Sequence, residues 1–420
     1  MNKLTHILAD RKDPIYYLII SIIVAALGFI KSFVFMKNLE LYDLGILAIL
    51  QTIIMLPGLL QMGMLNGGYR ILSMKKYEDE EKTNNMVFSS LLFTFILTIL
   101  IIPLLSYTYS EISVQYLLSA VIVGFLSVLA NWINNIYVAH RLLEELNRIR
   151  LITTLLSTSA LVLVFYFKIT GAIIALFVQP FMFVIWSLLI NRQMRPTIIL
   201  LNRKVFRRIL FYGFLPYLMG VIGLIKIQIE RWSISYYLGP EELGKYYIVI
   251  LYMSLFMLIP NSLNNLFFPK SVQLYTSKNY LAVKRLMVKY FGVLISYVLL
   301  SITLTIFMMP VMVTQFLPNH SMNVHLVFYI LPGLCLIVLS APLSLIFNSS
   351  LKYNQMLVAY IISIVLNIVL IYYYKDANAL TLENMASIKS MLNIYVAFHF
   401  GVIYLYLRKE IWSNDKSPQH

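Results

Sequence analysis

Charge is what this chain has least of: Asp, Glu, Lys and Arg together make up 12% of 420 residues, while 60% are hydrophobic. A soluble protein keeps about a quarter of its residues charged, so no water-facing surface can be assembled from this composition. The excess apolar surface must face lipid. Cysteine is nearly absent as well. With Cys335 alone there is no intrachain disulfide, and its apolar surroundings make it a small packing residue. Acidic residues number 18 against 33 basic ones, a net charge of +15. A small-residue cleavage site after the first apolar run is also missing, so that run reads as a retained span behind Lys3, Arg11 and Lys12.

What is present is a series of apolar runs near the twenty residues a membrane-crossing helix needs. Twelve stand out. The first six are Ile15 to Met36, Leu44 to Leu65, Met86 to Ser106, Tyr116 to Val138, Arg150 to Phe167 and Gly171 to Ile190. The second six are Ile209 to Ile229, Tyr246 to Phe268, Tyr290 to Pro310, Val324 to Phe347, Met356 to Tyr374 and Met391 to Leu407. The expected fold is therefore all-α and polytopic, with about twelve transmembrane helices. Asp13-Pro14 is a good start for the first, an N-cap acceptor before a proline at the first helical position.

Basic residues orient the spans. Lys37, Lys168, Arg231, Lys245, Lys375 and Lys389 fall on the outer side or its edge, Lys31 and Lys226 fall inside spans, and the remainder of the 33 fall on one face. By the positive-inside rule that face, and both termini, are cytoplasmic. The basic excess is thus a topology signal toward anionic lipid, and it does not indicate nucleic acid. Residues 191–208 separate the halves. Val205, Phe206 and Ile209 alternate there with Arg203, Lys204, Arg207 and Arg208, the pattern of a helix lying on inner headgroups, and 278–289 repeats it.

The halves look duplicated. Gly28-Phe-Ile-Lys31 resembles Gly223-Leu-Ile-Lys226, each half follows with a Leu-Gly pair, and Met55-Leu-Pro57 parallels Met257-Leu-Ile-Pro260. An even number of spans per half makes these parallel repeats enclosing a cavity, with organisation 1–190, 191–208 and 209–420.

Charges within spans cost about 2.5–3.5 kcal/mol each at mid-membrane and usually face polar cavities. Lys31 and Lys226 occupy matching places, Glu230 lies one turn beyond Lys226, and Arg231 follows it. Cations on both walls suit an anionic cargo such as a pyrophosphate, with a Lys226–Glu230 pair partly self-neutralising. The competing reading is that both lysines snorkel to the interface. Amides cluster at Gln61 and Asn66, at Asn131, Asn134 and Asn135, and at Asn261, Asn264 and Asn265. They can bond sugar hydroxyls or neighbouring helices, the latter being the commoner use.

Three other patterns carry no chemistry. Gly239-Pro-Glu-Glu-Leu-Gly-Lys245 spells most of a phosphate loop, but Tyr246 replaces the hydroxyl residue and Glu241 and Glu242 repel phosphate. His320 and His325 have no acidic or thiol neighbours in sequence, so neither a metal nor any other cofactor is expected. The longest outer segment, about Lys375 to Ser390, holds no acid–base set of the kind a membrane polymerase or ligase needs.

The stretch from Glu230-Arg-Trp-Ser-Ile-Ser-Tyr-Tyr-Leu-Gly to Glu242-Leu-Gly-Lys-Tyr246 resembles the segment joining the seventh and eighth spans of bacterial polysaccharide flippases. Leu44-Gly45 and the stretch from Gly63 to Arg70 are similar to their first-half counterparts, and span number and spacing agree over nearly the whole chain. The resemblance implies membership of the multidrug/oligosaccharidyl-lipid/polysaccharide exporter superfamily and its fold of two six-helix bundles around a central cavity. It also implies O-antigen-type activity: moving undecaprenyl-pyrophosphate-linked oligosaccharide from the cytoplasmic to the periplasmic leaflet of the inner membrane. Lys31, Lys226 and Arg231 would then be the cavity cations, with membrane lipids and the polysaccharide polymerase and chain-length machinery as partners. Lipid II flippases of the superfamily usually carry two further C-terminal spans, and its multidrug exporters bear acidic residues in the N-terminal cavity. The first six spans here hold no Asp or Glu. A cation-coupled small-molecule exporter remains the alternative, and a polysaccharide polymerase or ligase a further one.

Overall fold

Backbone N–H and C=O groups in hydrocarbon have no water to bond, so segments this apolar must satisfy their hydrogen bonds internally, as helices. The computed structural model describes residues 20, 23–74, 80–191, 195–197, 202–350 and 352–412, and nearly all of them are helical, without a strand among them. Among the described residues ten helical stretches, two of them made of two consecutive helices, are long and apolar enough to cross a membrane. The protein is a multi-pass membrane protein.

The chain divides into two compact units, Met1–Val221 and Ile222–His420. In the first, α1 (23–38) is followed by α2 (Leu41–Ile54), α3 (Leu56–Leu60) and α4 (Met64–Ser73). Next come α5 (Glu80–Thr108), α6 (Val114–Ala139), α7 (Leu143–Ser159) and α8 (Val162–Ile190). Helix α9 (Arg203–Tyr237) begins in the first unit and ends in the second. The second unit continues with α10 (Pro240–Thr276), α11 (Tyr280–Phe307) and α12 (Met309–Phe316), then a 3-10 turn at Pro318–Asn323. It closes with α13 (His325–Leu339), α14 (Ala341–Ser349), α15 (Tyr353–Asp376) and α16 (Leu382–Ile411). The Asp13-Pro14 start of the first expected span lies outside the described residues.

Several expected boundaries move, for identifiable reasons. The second span is not one helix. Met62 and Gly63 have φ of 50° and 86°, and this left-handed break turns the chain into α4. Glycine is needed at 63 twice over, since a Cβ there would also lie 2.8 Å from the Gly213 carbonyl carbon. Gly67 in turn meets the Ile209 backbone, so α4 and the first turns of α9 pack main chain to main chain. The expected fifth span, Arg150 to Phe167, is really α7 plus the first turn of α8, separated from the rest by a kink at Lys168 with φ 50° and ψ −123°. Gly171 folds back on that turn, where a Cβ would lie 2.7 Å from the Val164 nitrogen. Helix α7 also starts earlier than expected, because the charged Glu144, Glu145, Arg148 and Arg150 face away from its buried stripe of Leu146, Ile149 and Thr153. Hydropathy averages hide such a stripe.

The two basic amphipathic segments are corrected as well. Residues 192–194 and 198–201 lie outside the described residues, but Arg203 to Arg208 form the first turns of α9. Val205 and Phe206 pack against the protein core around Trp132 and Ile209, leaving less apolar surface for headgroups. Thr197 is fastened to α5: Asn85 both donates to its hydroxyl and accepts from its N–H at 2.9 Å, and the hydroxyl donates to Glu81 at 2.7 Å. Residues 280–289 continue directly into α11, with Leu286 and Met287 buried.

Each unit has its own core. In the first, Trp132 is fully buried, donates from Nε1 to Asn84 Oδ1 at 2.9 Å, and lies over Gly68, where a Cβ would come within 2.8 Å of the ring. In the second, α13 and α16 are the closest neighbours. Gly333 is the contact point: its N–H donates to Ser390 Oγ at 2.9 Å, and a Cβ would sit 2.5 Å from the Ser390 Cα. Small residues allow this approach of two membrane helices. Phe347 and Phe400 pack edge to face beside it at 5.7 Å.

Candidate functional site

Lys31 lies on α1 and is only 6% exposed. Its side chain does not run to an interface. It crosses to the last two helices of its own unit, donating to Ser157 Oγ of α7 at 2.7 Å and to Gln179 Oε1 of α8 at 3.4 Å. Both partners are themselves held. Ser157 donates onward to the Ala175 carbonyl at 2.6 Å, and Gln179 donates to Thr154 Oγ1 at 3.2 Å. The result is an ammonium in a cradle of neutral oxygens, and among the described residues no carboxylate pairs with it.

Lys226, its counterpart on α9, meets the corresponding helices of the second unit. Its ammonium stands 5.0 Å above the Tyr360 ring of α15, and its carbonyl accepts from Lys389 Nζ of α16 at 3.4 Å. Each unit thus presents a lysine from its first helix to its fifth and sixth passes.

The second unit differs by carrying Glu230, the buried carboxylate among the described residues, 4% exposed. The expected Lys226–Glu230 pair does not form. Glu230 pairs instead with Lys389, Oε2 to Nζ at 2.8 Å, and accepts a short hydrogen bond from the Tyr246 hydroxyl on Oε1. Lys389 is enclosed by the protein, 4% exposed, because α16 begins at Leu382 and most of the segment from Lys375 to Ser390 is helix. The signal was in the sequence, since Met385, Ile388, Leu392 and Val396 continue a helical stripe upstream of Met391. Arg231 is half-buried beside Glu230.

The amides scatter. Gln61 is buried, and its Oε1 accepts from Leu65 N–H at 3.0 Å, tying the break before α4. Asn66, Asn135 and Asn264 are half-buried, while Asn131 and Asn261 are exposed. Asn134 has a buried Oδ1 without a hydrogen-bond partner. Asn265 lies on α10, with its side chain outside the described part. Sequence reasoning missed Thr154, Ser157, Gln179, Tyr246, Tyr360 and Lys389. The first three were legible only as polar interruptions of apolar runs.

Lys245 bonds Glu241 and Glu242 at 3.3 and 2.7 Å, which commits that lysine to its own helix and away from phosphate. His325 does gain an acidic neighbour in space, Glu383 at 3.0 Å, although no three His, Cys, Asp or Glu gather among the described residues.

The chain is thus an all-α membrane protein of two helical units, with Lys31 buried in the first and Lys389 in the second. No family description and no curated protein matches the sequence. Solved structures do. The inward-facing form of a multidrug resistance MATE family transporter of the MOP superfamily aligns with 92% of this chain and 94% of its own, at TM-score 0.69 and 14% identity. The lipid II flippase MurJ, in an inward closed conformation, aligns with 94% of this chain and 87% of its own, at TM-score 0.69 and 16% identity. A MOP superfamily transporter from Pyrococcus furiosus, described as having a binding pocket of reverse polarity that suggests a different function, covers 97% of both chains at TM-score 0.63 and 15% identity. At these identities the likeness is one of fold: the chain is similar in architecture to MOP superfamily transporters, flippase and exporters alike.

Proposed function

We propose that this protein translocates an undecaprenyl-pyrophosphate-linked oligosaccharide, an O-antigen or similar surface polysaccharide unit, from the cytoplasmic to the periplasmic leaflet by alternating access. The observation that supports this most is the sign of the buried charge. Lys31, Lys226, Arg231 and Lys389 lie within the helical units, against Glu230 as the one buried carboxylate among the described residues. Positive charge held in a low-dielectric interior favours an anionic headgroup over a cationic drug. The prenyl tail stays in lipid while the pyrophosphate crosses. Amides such as Asn134, Asn66 and Asn264 are available for sugar hydroxyls. The lipid II flippase among the structural neighbours handles a lipid-linked substrate by its printed name, which agrees with this reading. The bias of basic residues to one face supports cytoplasmic termini, and the O-antigen resemblance supports an inner-membrane location.

The alternative, a cation-coupled small-molecule exporter, draws on the multidrug transporters among the neighbours. It is disfavoured by the absence of a carboxylate partner for Lys31 among the described residues. Deleting the gene separates the two. Loss of surface polysaccharide supports the flippase, whereas drug sensitivity with polysaccharide intact supports the exporter. Complementation with Lys31→Ala, Lys226→Ala and Arg231→Ala then tests the site, and full rescue by all three removes it.

A further inference from the structure

The second unit holds more cations than it can neutralise. Glu230 on α9 is shared by Lys389 of α16 at 2.8 Å and the Tyr246 hydroxyl of α10. Among the described residues Lys226 has the Tyr360 ring, 5.0 Å from its ammonium, and no carboxylate partner, while Lys389 Nζ lies 3.4 Å from its backbone carbonyl. Arg231 adds a third positive group one residue from Glu230. Uncompensated buried charge is strongly unfavourable, and membrane interiors keep it where a polar ligand passes.

We propose that Lys389 and Lys226 together bind phosphate oxygens of the cargo, and that Glu230 is a resident counter-ion which holds Lys389 until that phosphate takes its place. This deepens the reading above and rests on it for the identity of the cargo. Geometry favours an exchange over simple addition. Lys389 Nζ lies 3.4 Å from the Lys226 carbonyl while it pairs with Glu230 at 2.8 Å, so an anion that draws Lys389 off Glu230 is met on the stretch of α9 that carries Lys226. Tyr246 keeps Glu230 hydrogen-bonded after the exchange. The same event replaces the direct ion pair between α9 and α16 with one bridged by the phosphate.

The test uses the full chain in detergent or nanodiscs with inorganic pyrophosphate as probe. Glu230→Gln frees Lys389 and is expected to tighten pyrophosphate binding about tenfold, as removing a competing charge does. Lys389→Gln alone leaves a lone buried carboxylate, so the decisive variant is Glu230→Gln with Lys389→Gln, two amides that can still bond each other. Once shown monodisperse, it should bind about tenfold more weakly than wild type. Wild-type affinity in the double variant, or weaker binding by Glu230→Gln, overturns the proposal. Farnesyl pyrophosphate run in parallel identifies the source: tighter binding than inorganic pyrophosphate assigns the site to a lipid-linked head, and the reverse order to free phosphate, either supporting an anion site. Loss of binding in the double variant, with polysaccharide intact after gene deletion, keeps this site and ends the oligosaccharide reading. Unchanged binding, with polysaccharide lost, does the opposite.

Discussion

Lys31 Nζ lies 2.7 Å from Ser157 Oγ, across 126 residues of chain, and that hydroxyl passes its own hydrogen to the Ala175 carbonyl. The lysine is therefore oriented by a group that cannot neutralise it. A cation kept buried on such terms is held against stability, and the natural explanation is use.

Lys31→Met tests that directly. It keeps the apolar stem, removes the charge and leaves Ser157 bonded to Ala175. Thermal unfolding in detergent should shift upward, by about 1–3 kcal/mol, since replacing a buried charge with a well-packed apolar group is often stabilising. Polysaccharide export in a complementation assay should fall at least tenfold. A lower melting temperature with export preserved would make Lys31 a structural residue.

Tyr360 holds Lys226 by its face at 5.0 Å. Tyr360→Phe preserves the ring and should retain export, whereas Tyr360→Leu loses an attraction worth about 0.5–2 kcal/mol and should lower it several-fold. Equal activity in the two variants would show that the ring is packing alone.

Gly333 should tolerate no side chain. Gly333→Ala drives a Cβ into the Ser390 backbone and is expected to destabilise the second unit by about 1–3 kcal/mol. Gly292→Ala is the control: nothing lies within 4 Å of its Cβ, and helix propensity favours alanine by roughly 0.8–1.0 kcal/mol. Melting curves that fall together would show that the α13–α16 contact is not what Gly333 provides.

Asn85 is the clasp on the segment that precedes α9, with two hydrogen bonds to Thr197 at 2.9 Å. Asn85→Ala removes both, each worth about 0.5–1.5 kcal/mol. Limited proteolysis should then cut between Arg192 and Arg203 several times faster than in wild type. Unchanged cleavage would mean that Glu81 and the rest of the segment hold it without Asn85.

How far the sequence could be read follows from what each quantity averages. Hydropathy sums about twenty neighbours, so it found the runs that became α5, α6 and α8 and missed the break at Met62–Gly63, which depends on one dihedral and on Gly213 far along the chain. It also began the last span only at Met391, because Lys389 lowered the average although that side chain is enclosed. A charge enters such an average with the same sign whether it faces water or a carboxylate.

The amino-acid sequence by itself determined that this is an all-helical membrane protein, because 60% apolar residues in runs of this length have no other way to satisfy their backbones. It also determined that matching lysines stand on the first helix of each half. Only the tertiary structure decided what those lysines meet: Ser157 and Gln179 in one unit, Tyr360 and the neighbourhood of Lys389 in the other. Nor could local sequence select Lys389 over Lys226 as the partner of Glu230. Four-residue spacing allows a contact along one helix, but the rotation of α9 and the seating of α16 on Gly333 set which ammonium arrives first.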